Sequence, residues 1–248
     1  MLSTAIREAM QPAGRLVKFM LRRLSLRRQL PSRTNTILNH EFLFSVFNHL
    51  RGRRTAFPWS HGADARSYIG SGILYFTIPY MLKAKTCVCI GSGGGYVPRF
   101  MFQAQVEAKV QGGRTILIDA NKGPYGRPDY LDPGSSFRKR FNAVEIVEMD
   151  SADYAAVAKN QNLVKDYLHI DGDHSYEGVL SDFTNYLPLM SNKGLITLHD
   201  TCGTYPCAAV IPTIKGMGHE IINLPHIGEG IAIIKASAPN PGSIQAPV

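Results

Sequence analysis

The chain has 248 residues, 44% of them apolar and 19% charged, with a net charge of +8. That length supports one large domain with a full core or two small ones, and the composition excludes a chain disordered over most of its length. The excess charge sits at one end: residues 1–54 hold 11 Lys and Arg against 2 acids, and the remaining 194 hold 16 against 17. This distribution argues against a wide basic face tracking a nucleic-acid backbone.

The first thirty residues lack the uninterrupted apolar core of a signal peptide and are too charged to span a bilayer. From Leu16 onward, Val17, Met20, Leu21 and Leu24 recur at helical spacing with Arg15, Lys18, Arg22 and Arg23 between them, which predicts a basic amphipathic helix. Its expected role is to dock on its own domain or a subunit neighbour, with peripheral contact to an anionic membrane or an organelle address as the alternatives. The expected organisation is a basic helical arm over 1–64, a main domain over 65–236, and a frayed tail over 237–248, rich in Pro, Ala, Ser and Gly.

An aromatic, Gly-containing region (55–80) with Trp59, His61, Tyr68 and Tyr75 ends in a short helix. TCVCI (86–90) reads as a first strand, followed by GSGGGY and a helical stretch, VPRFMFQAQVEAKV. RTILIDA (114–120) is the second strand and AVEIVEMD (143–150) the third; the irregular segment 124–140 between them is long enough to face a substrate. DYLHIDGDH is the fourth. SYEGVLSDFTNYLPLM is a helix with Val179, Phe183, Leu187 and Met190 on one side, and GLITLHD (194–200) is the fifth strand. EIINLP (220–225) and GIAIIKA (230–236) form a closing strand pair. Alternating strands and helices predict an α/β fold, a mostly parallel sheet with helices on both faces.

The four cysteines, Cys87, Cys89, Cys202 and Cys207, have neither zinc-site pairing nor the density of a disulfide scaffold. Cys87 and Cys89 alternate with Val88 in a strand and read as buried free thiols, which fits a reducing cytoplasm. In open α/β sheets ligands bind beyond the carboxyl ends of the strands. Gly91, Asp119, Asp150, Asp171 and Asp200 each follow one of the five strands, and five such ends read as a single ligand crevice.

The run IGSGGGY lacks the Lys of a P-loop, and Tyr96 stands where a G-x-G-x-x-G fingerprint needs its last glycine. What remains is a tight turn at a helix start, where a ligand approaches the backbone closely. Such a turn, followed by an acid at the end of the next strand, resembles motifs I and II of the class I (Rossmann-like) S-adenosylmethionine-dependent methyltransferases. The resemblance implies that Gly91, Ser92 and Gly93 lie against the amino-acid portion of the cofactor, that Asp119 binds the ribose, and that Asp150 and Ser151 meet the adenine side. The stretch HIDGDHSYEGVLSDFTNYLPLMSNKGLITLHD (169–200) is similar to the signature of a branch containing sugar and macrolide-glycoside O-methyltransferases and cephalosporin-hydroxylase-like proteins, and the likeness extends over roughly 65–236.

By the same resemblance, Asp171 corresponds to a metal-binding Asp after strand four, and His199 with Asp200 to an acidic pair after strand five. Two carboxylates in one crevice repel unless a cation or a proton lies between them. Mg2+ suits Asp171 and Asp200, with Mn2+ as the alternative, and His199 as a ligand shifts preference towards Mn2+, Fe2+ or Zn2+. His174 occupies the place of a catalytic base, and an imidazole has the right pKa for that task; Asp171 is the second expected catalytic residue. Asp173 orients His174 or caps the following helix. His169, inside the strand, is expected by alternation to point away from Asp171's neighbours and to pack, and Glu177 and Asp182 are expected at the solvated start of the helix.

The expected function is metal-assisted O-methyl transfer from S-adenosylmethionine to a hydroxyl of a sugar or glycosylated small molecule, by a cytoplasmic homo-oligomer. RNA 2'-O-methylation is one alternative, weakened because no lysine stands near Asp171 or Asp200 to serve in that chemistry's Lys-Asp-Lys-Glu tetrad. The other is a non-catalytic subunit that docks a partner or membrane through the basic helix.

Overall fold

Short apolar runs with little polar alternation belong in strands covered on both faces. In the computed structural model, which describes residues 42, 58–63, 68–123 and 127–236, they form β1 (Thr86–Ile90), β2 (Arg114–Asp119), β3 (Val144–Glu148), β4 (Lys165–Ile170) and β5 (Met190–His199). These five are parallel, and β7 (Ile231–Lys235) and β6 (Ile221–Leu224) close the sheet antiparallel, in the order β3-β2-β1-β4-β5-β7-β6. Every residue of β1 and β4 is buried. Strand order reverses between these two central strands, which places the ligand crevice at their carboxyl ends.

Contacts divide the chain into two units, Met1–Leu43 and Phe44–Val248. Of the first, only the helical, buried Phe42 is described. The amphipathic helix expected from Leu16 and the tail 237–248 lie outside the described residues. Residues 58–63, inside the expected arm, belong to the second unit and reach the crevice, as shown below.

The helices are α1 (Gly72–Leu82), α2 (Tyr96–Glu107), α3 (Ser136–Arg140), α4 (Ser151–Asn160), α5 (Tyr176–Tyr186) and α6 (Val210–Gly216). Strand alternation sorts their partners. Val88, Ile90, Ile116, Ile118, Leu168, Ile170, Ile196 and Leu198 point one way and pack with Tyr154, Ala158, Val179, Phe183, Val210 and Ile214 of α4, α5 and α6. Cys87, Thr115, Tyr167, His169 and Thr197 point the other way, where Gln105 of α2 bonds Thr115 and Cys87, and Tyr75 of α1 sets its ring edge on His169.

The helix expected through Met190 stops earlier. Pro188 has no N–H for the helical ladder and its ring obstructs the preceding turn, so α5 gives way to a 3-10 turn over Leu187–Leu189, and Met190 opens β5. The buried face of α5 carries Val179, Asp182, Phe183 and Tyr186. Asp182 is therefore not a solvated residue of the first turns; it is 4% exposed. Cys87 and Cys89 are free and buried, as expected.

Candidate active site

The five strand ends open into one cavity of about 700 Å3. Gly91, Ser92, Gly93, Asp119, Asp150, Ser151, Asp171, His174, His199 and Asp200 all line it, so every site residue expected from the sequence reaches the same space. Gly91 makes this convergence possible: its φ is +65°, and a Cβ there would overlap the Asp171 carbonyl on the neighbouring strand end.

At one end of the cavity the backbone does most of the shaping. Gly95 takes a left-handed conformation (φ +73°) to start α2, and Ser92, buried beneath it, accepts from the Val97 N–H at 3.4 Å. Asp119 accepts from the Asn121 N–H at 2.6 Å through one oxygen and from the Tyr130 hydroxyl through the other. Burial and the Asp119 charge push the Tyr130 pKa far up, so the phenol stays protonated and keeps donating. Asp150 caps α4 by accepting from the Ala152 N–H at 3.1 Å, and Lys122 Nζ lies 3.3 Å from its other oxygen. Ser151 donates to Asp182 at 2.5 Å.

At the other end, charged side chains face one another. Asp200 sits at φ +59°, a costly conformation for a residue with a Cβ, and this turn brings its carboxylate back beside Asp171. His199 Nδ1 lies 3.0 Å from Asp171 Oδ1 and 3.0 Å from Asp200 Oδ1, and Nε2 donates to the Ser60 carbonyl at 3.2 Å. Burial works against a charge on His199, but Asp171 and then Asp200 outweigh it and push its pKa up to about 10. His199 is an imidazolium clamped by three acceptors. Against its own burial, Asp171 is held well below the usual carboxylate range by the His199 charge and hydrogen bond, with the nearby His169 ring adding to them.

His174, on the turn into α5, is half exposed, with Nε2 3.2 Å from Asp200 Oδ2 and 4.0 Å from Asp171 Oδ1. Donor atoms of Asp171, His174 and Asp200 converge within 4.8 Å of one another. This set contains His174 where the sequence reading placed His199, whose two nitrogens are both engaged. Asp173 accepts from the Ser175 N–H at 2.9 Å and so serves the start of α5.

His169 differs from the expectation. Residues two apart on a strand share a face, so His169 lies on Asp171's side, with Nε2 3.9 Å from Asp171 Oδ2 and Nδ1 2.8 Å from Thr197 Oγ1. His61, Ser60 and Tyr205 also line the cavity. The His61 ring stacks on Tyr96 and lies 4.3 Å from the His199 ring, with Nδ1 3.1 Å from the Tyr75 hydroxyl. Burial, then the His199 charge, hold the His61 pKa well below its usual value, so it is neutral. No spacing rule ties His61 to a strand more than a hundred residues away, and Asp182 was hidden by its helical surroundings.

Residues 88–201 match the family model described as "Methyltransferase domain". The fold is the Rossmann-like fold of the class I methyltransferases, and residues 88–201 resemble their domain. No curated protein matches this chain in sequence. Among solved structures, it is similar to the SAM-bound O-methyltransferase TomG of Streptomyces achromogenes, with a TM-score of 0.58 at 13% identity over 81% of this chain and 91% of that one. It is also similar to an O-methyltransferase of Bacillus cereus in complex with SAH, with a TM-score of 0.56 at 16% identity over 84% and 93%. The SAH-bound methyltransferase of Podospora anserina scores 0.55 at 15% identity over 79% and 87%. Among the described residues, no helix is long and apolar enough to cross a membrane.

Proposed function

We propose that the chain is an S-adenosylmethionine-dependent O-methyltransferase acting on a hydroxyl of a sugar or glycosylated small molecule. One observation carries this reading: a single cavity is lined by the glycine turn after β1, the acid that ends β2 and a carboxylate–histidine cluster after β4 and β5. Its volume is in the range that encloses a cofactor-sized ligand. Gly91, Ser92, Gly93, Asp119, Asp150 and Ser151 would hold the donor, which supplies an electrophilic methyl group. Asp119 suits ribose hydroxyls because its oxygens, already oriented by Asn121 and Tyr130, each keep a lone pair for a further donor.

An alcohol attacks a methyl group only as its proton leaves. His174 takes that proton, and Asp200, 3.2 Å away, orients the ring and stabilises the imidazolium that forms. Asp171 and His199 keep the surroundings in fixed charge states. A second reading rests on the convergence of Asp171, His174 and Asp200. A divalent ion held there would lower the hydroxyl pKa, with His174 as ligand rather than base, and a ligand set containing imidazole favours Mn2+ over Mg2+. The acceptor class rests on the resemblance of residues 169–200, the homo-oligomer on analogy with related enzymes, and the cytoplasmic setting on the free cysteines.

Calorimetric titration of S-adenosylmethionine into chelator-treated protein tests the donor. Micromolar binding that Asp119→Ala abolishes supports the reading, and no binding with or without Mn2+ overturns it. Turnover of a hydroxylated acceptor by chelated protein, lost in His174→Ala, assigns His174 as base. Turnover that returns only with added metal assigns it as ligand.

A further inference from the structure

The turn that precedes α1 supplies a side chain that the proposed chemistry leaves unused. Pro58–His61 forms a 3-10 turn, and two of its carbonyls tie it down. That of Ser60 accepts from the Glu229 N–H at 2.8 Å as well as from His199 Nε2, and that of His61 accepts from the Ser71 N–H at 2.8 Å. Gly70 permits the close approach: at φ +47°, a Cβ there would overlap the His61 carbonyl. The His61 ring lies nearly parallel to Tyr96 at 4.8 Å and edge-on to Tyr75 at 5.5 Å, so its surroundings fix its orientation.

Burial decides which ring nitrogen carries the hydrogen. Tyr75 is fully buried, and among the described residues its hydroxyl has one partner, His61 Nδ1, at 3.1 Å. If Nδ1 donated, the phenolic hydrogen would be buried without an acceptor, the costlier arrangement. The phenol therefore donates to Nδ1, and Nε2 holds the hydrogen of the ring. A protonated ring carries a hydrogen on Nε2 too, so this donor exists in either charge state. Nε2 has no partner among the described residues and is not sealed off, and the ring lines the cavity.

The groups beside it are of the opposite kind. Asp171 and Asp200 are acceptors, both nitrogens of His199 are engaged, and the His61 ring lies 4.3 Å from that of His199. Asp200 also holds His174, 3.2 Å away. A molecule whose hydroxyl meets His174 and Asp200 therefore lies near a fixed N–H that only a further lone pair can match. We infer that His61 Nε2–H donates to a second oxygen of the methyl acceptor, one that is not methylated, and so selects polyhydroxylated acceptors over their deoxy analogues. The inference rests on the proposed O-methyltransferase reading. It assigns a specificity that the acids at the strand ends cannot give, because carboxylates accept and do not donate.

The test is transfer of labelled methyl from S-adenosylmethionine by the full chain, with Mn2+ present, to methyl glycopyranosides of the common hexoses and 6-deoxyhexoses. Monodeoxy analogues of the best of these follow. The analogue lacking the oxygen that His61 holds should still be methylated, with kcat/KM about 5- to 150-fold lower, because the buried N–H is left unmatched. His61→Phe, which keeps a stacked ring, should lower kcat/KM for the parent glycoside by a similar factor, mainly through KM, and change that analogue by less than about threefold. His61→Gln, with an amide N–H near the place of Nε2, should recover part of the discrimination. Affinity for S-adenosylhomocysteine should change less than about threefold in both variants, and thermal unfolding checks that they fold. Deoxy analogues that all match the parent with unmodified protein overturn the inference. So does a folded His61→Phe that lowers parent and analogues alike, spares the parent, or loses S-adenosylhomocysteine, and each of these leaves the methyltransferase reading intact. Transfer to no glycoside by the unmodified protein overturns the sugar reading and the inference with it.

Discussion

The two faces of the central sheet are made of different material. On the face under α4, α5 and α6, the central strands contribute Val88, Ile90, Leu168, Ile170, Ile196 and Leu198, all apolar. On the face under α1 and α2, the same strands contribute Tyr167, His169, Thr197 and His199, all buried and all hydrogen-bonded or ion-paired. The first face holds the fold together by burial. The second continues the candidate active-site cluster into the core: Tyr167 and His169 meet at Thr197, His169 faces Asp171, and Asp171 faces His199. Site geometry in this protein is supported from below by a polar layer, and residues remote from the reacting atoms belong to the same network.

Four changes would break or sharpen this contrast. The largest effect is expected from Asp171→Ala, which removes the main partner of His199. Turnover should fall about 10²- to 10⁴-fold, and NMR titration should show the His199 pKa falling from about 10 towards the ordinary imidazole range. On the apolar face, Leu168→Ala should cost about 2–5 kcal/mol in denaturant unfolding while leaving the His199 titration in place. A shifted His199 would show that the faces are not independent.

Next comes Thr197→Val, which keeps the shape but strips the Tyr167 hydroxyl and His169 Nδ1 of their shared partner. About 1–3 kcal/mol of stability should be lost, and Kd for S-adenosylmethionine should change less than about threefold, because Thr197 does not line the cavity. The smallest effect is a pH dependence of metal-free protein. His199 is raised above its unfolded value of 6.5, so the stability it contributes is fully present below about pH 6.5 and is lost as pH rises through about 10. Thermal midpoints measured from pH 6 to 10 should fall over that interval, and the decline should be absent in His199→Gln.

Much of this was legible in the chain itself. The five parallel strands, their order of appearance and the acids at their ends follow from short apolar runs and the residues that terminate them, because a buried strand has to be apolar along its length and a ligand can be met only where it stops. Ten of the residues that line the cavity could be listed from such signals together with the family resemblance. What pairing they would adopt could not. His199 rather than His174 was read as a ligand, and only the left-handed turn at Asp200 shows that His199 lies between two carboxylates with its other nitrogen on Ser60.

The sequence by itself determined the class of fold, the location of the crevice and the types of side chain that face it, because these depend on local periodicity and on where each run ends. The tertiary structure alone decided that Ser60 and His61 close the site from before the first strand, that Asp182 is buried beside Ser151, and that Tyr130 holds Asp119. Those contacts join residues far apart in the chain. Their charge states follow from burial and neighbouring charges, which exist only once the sheet and its helices have packed.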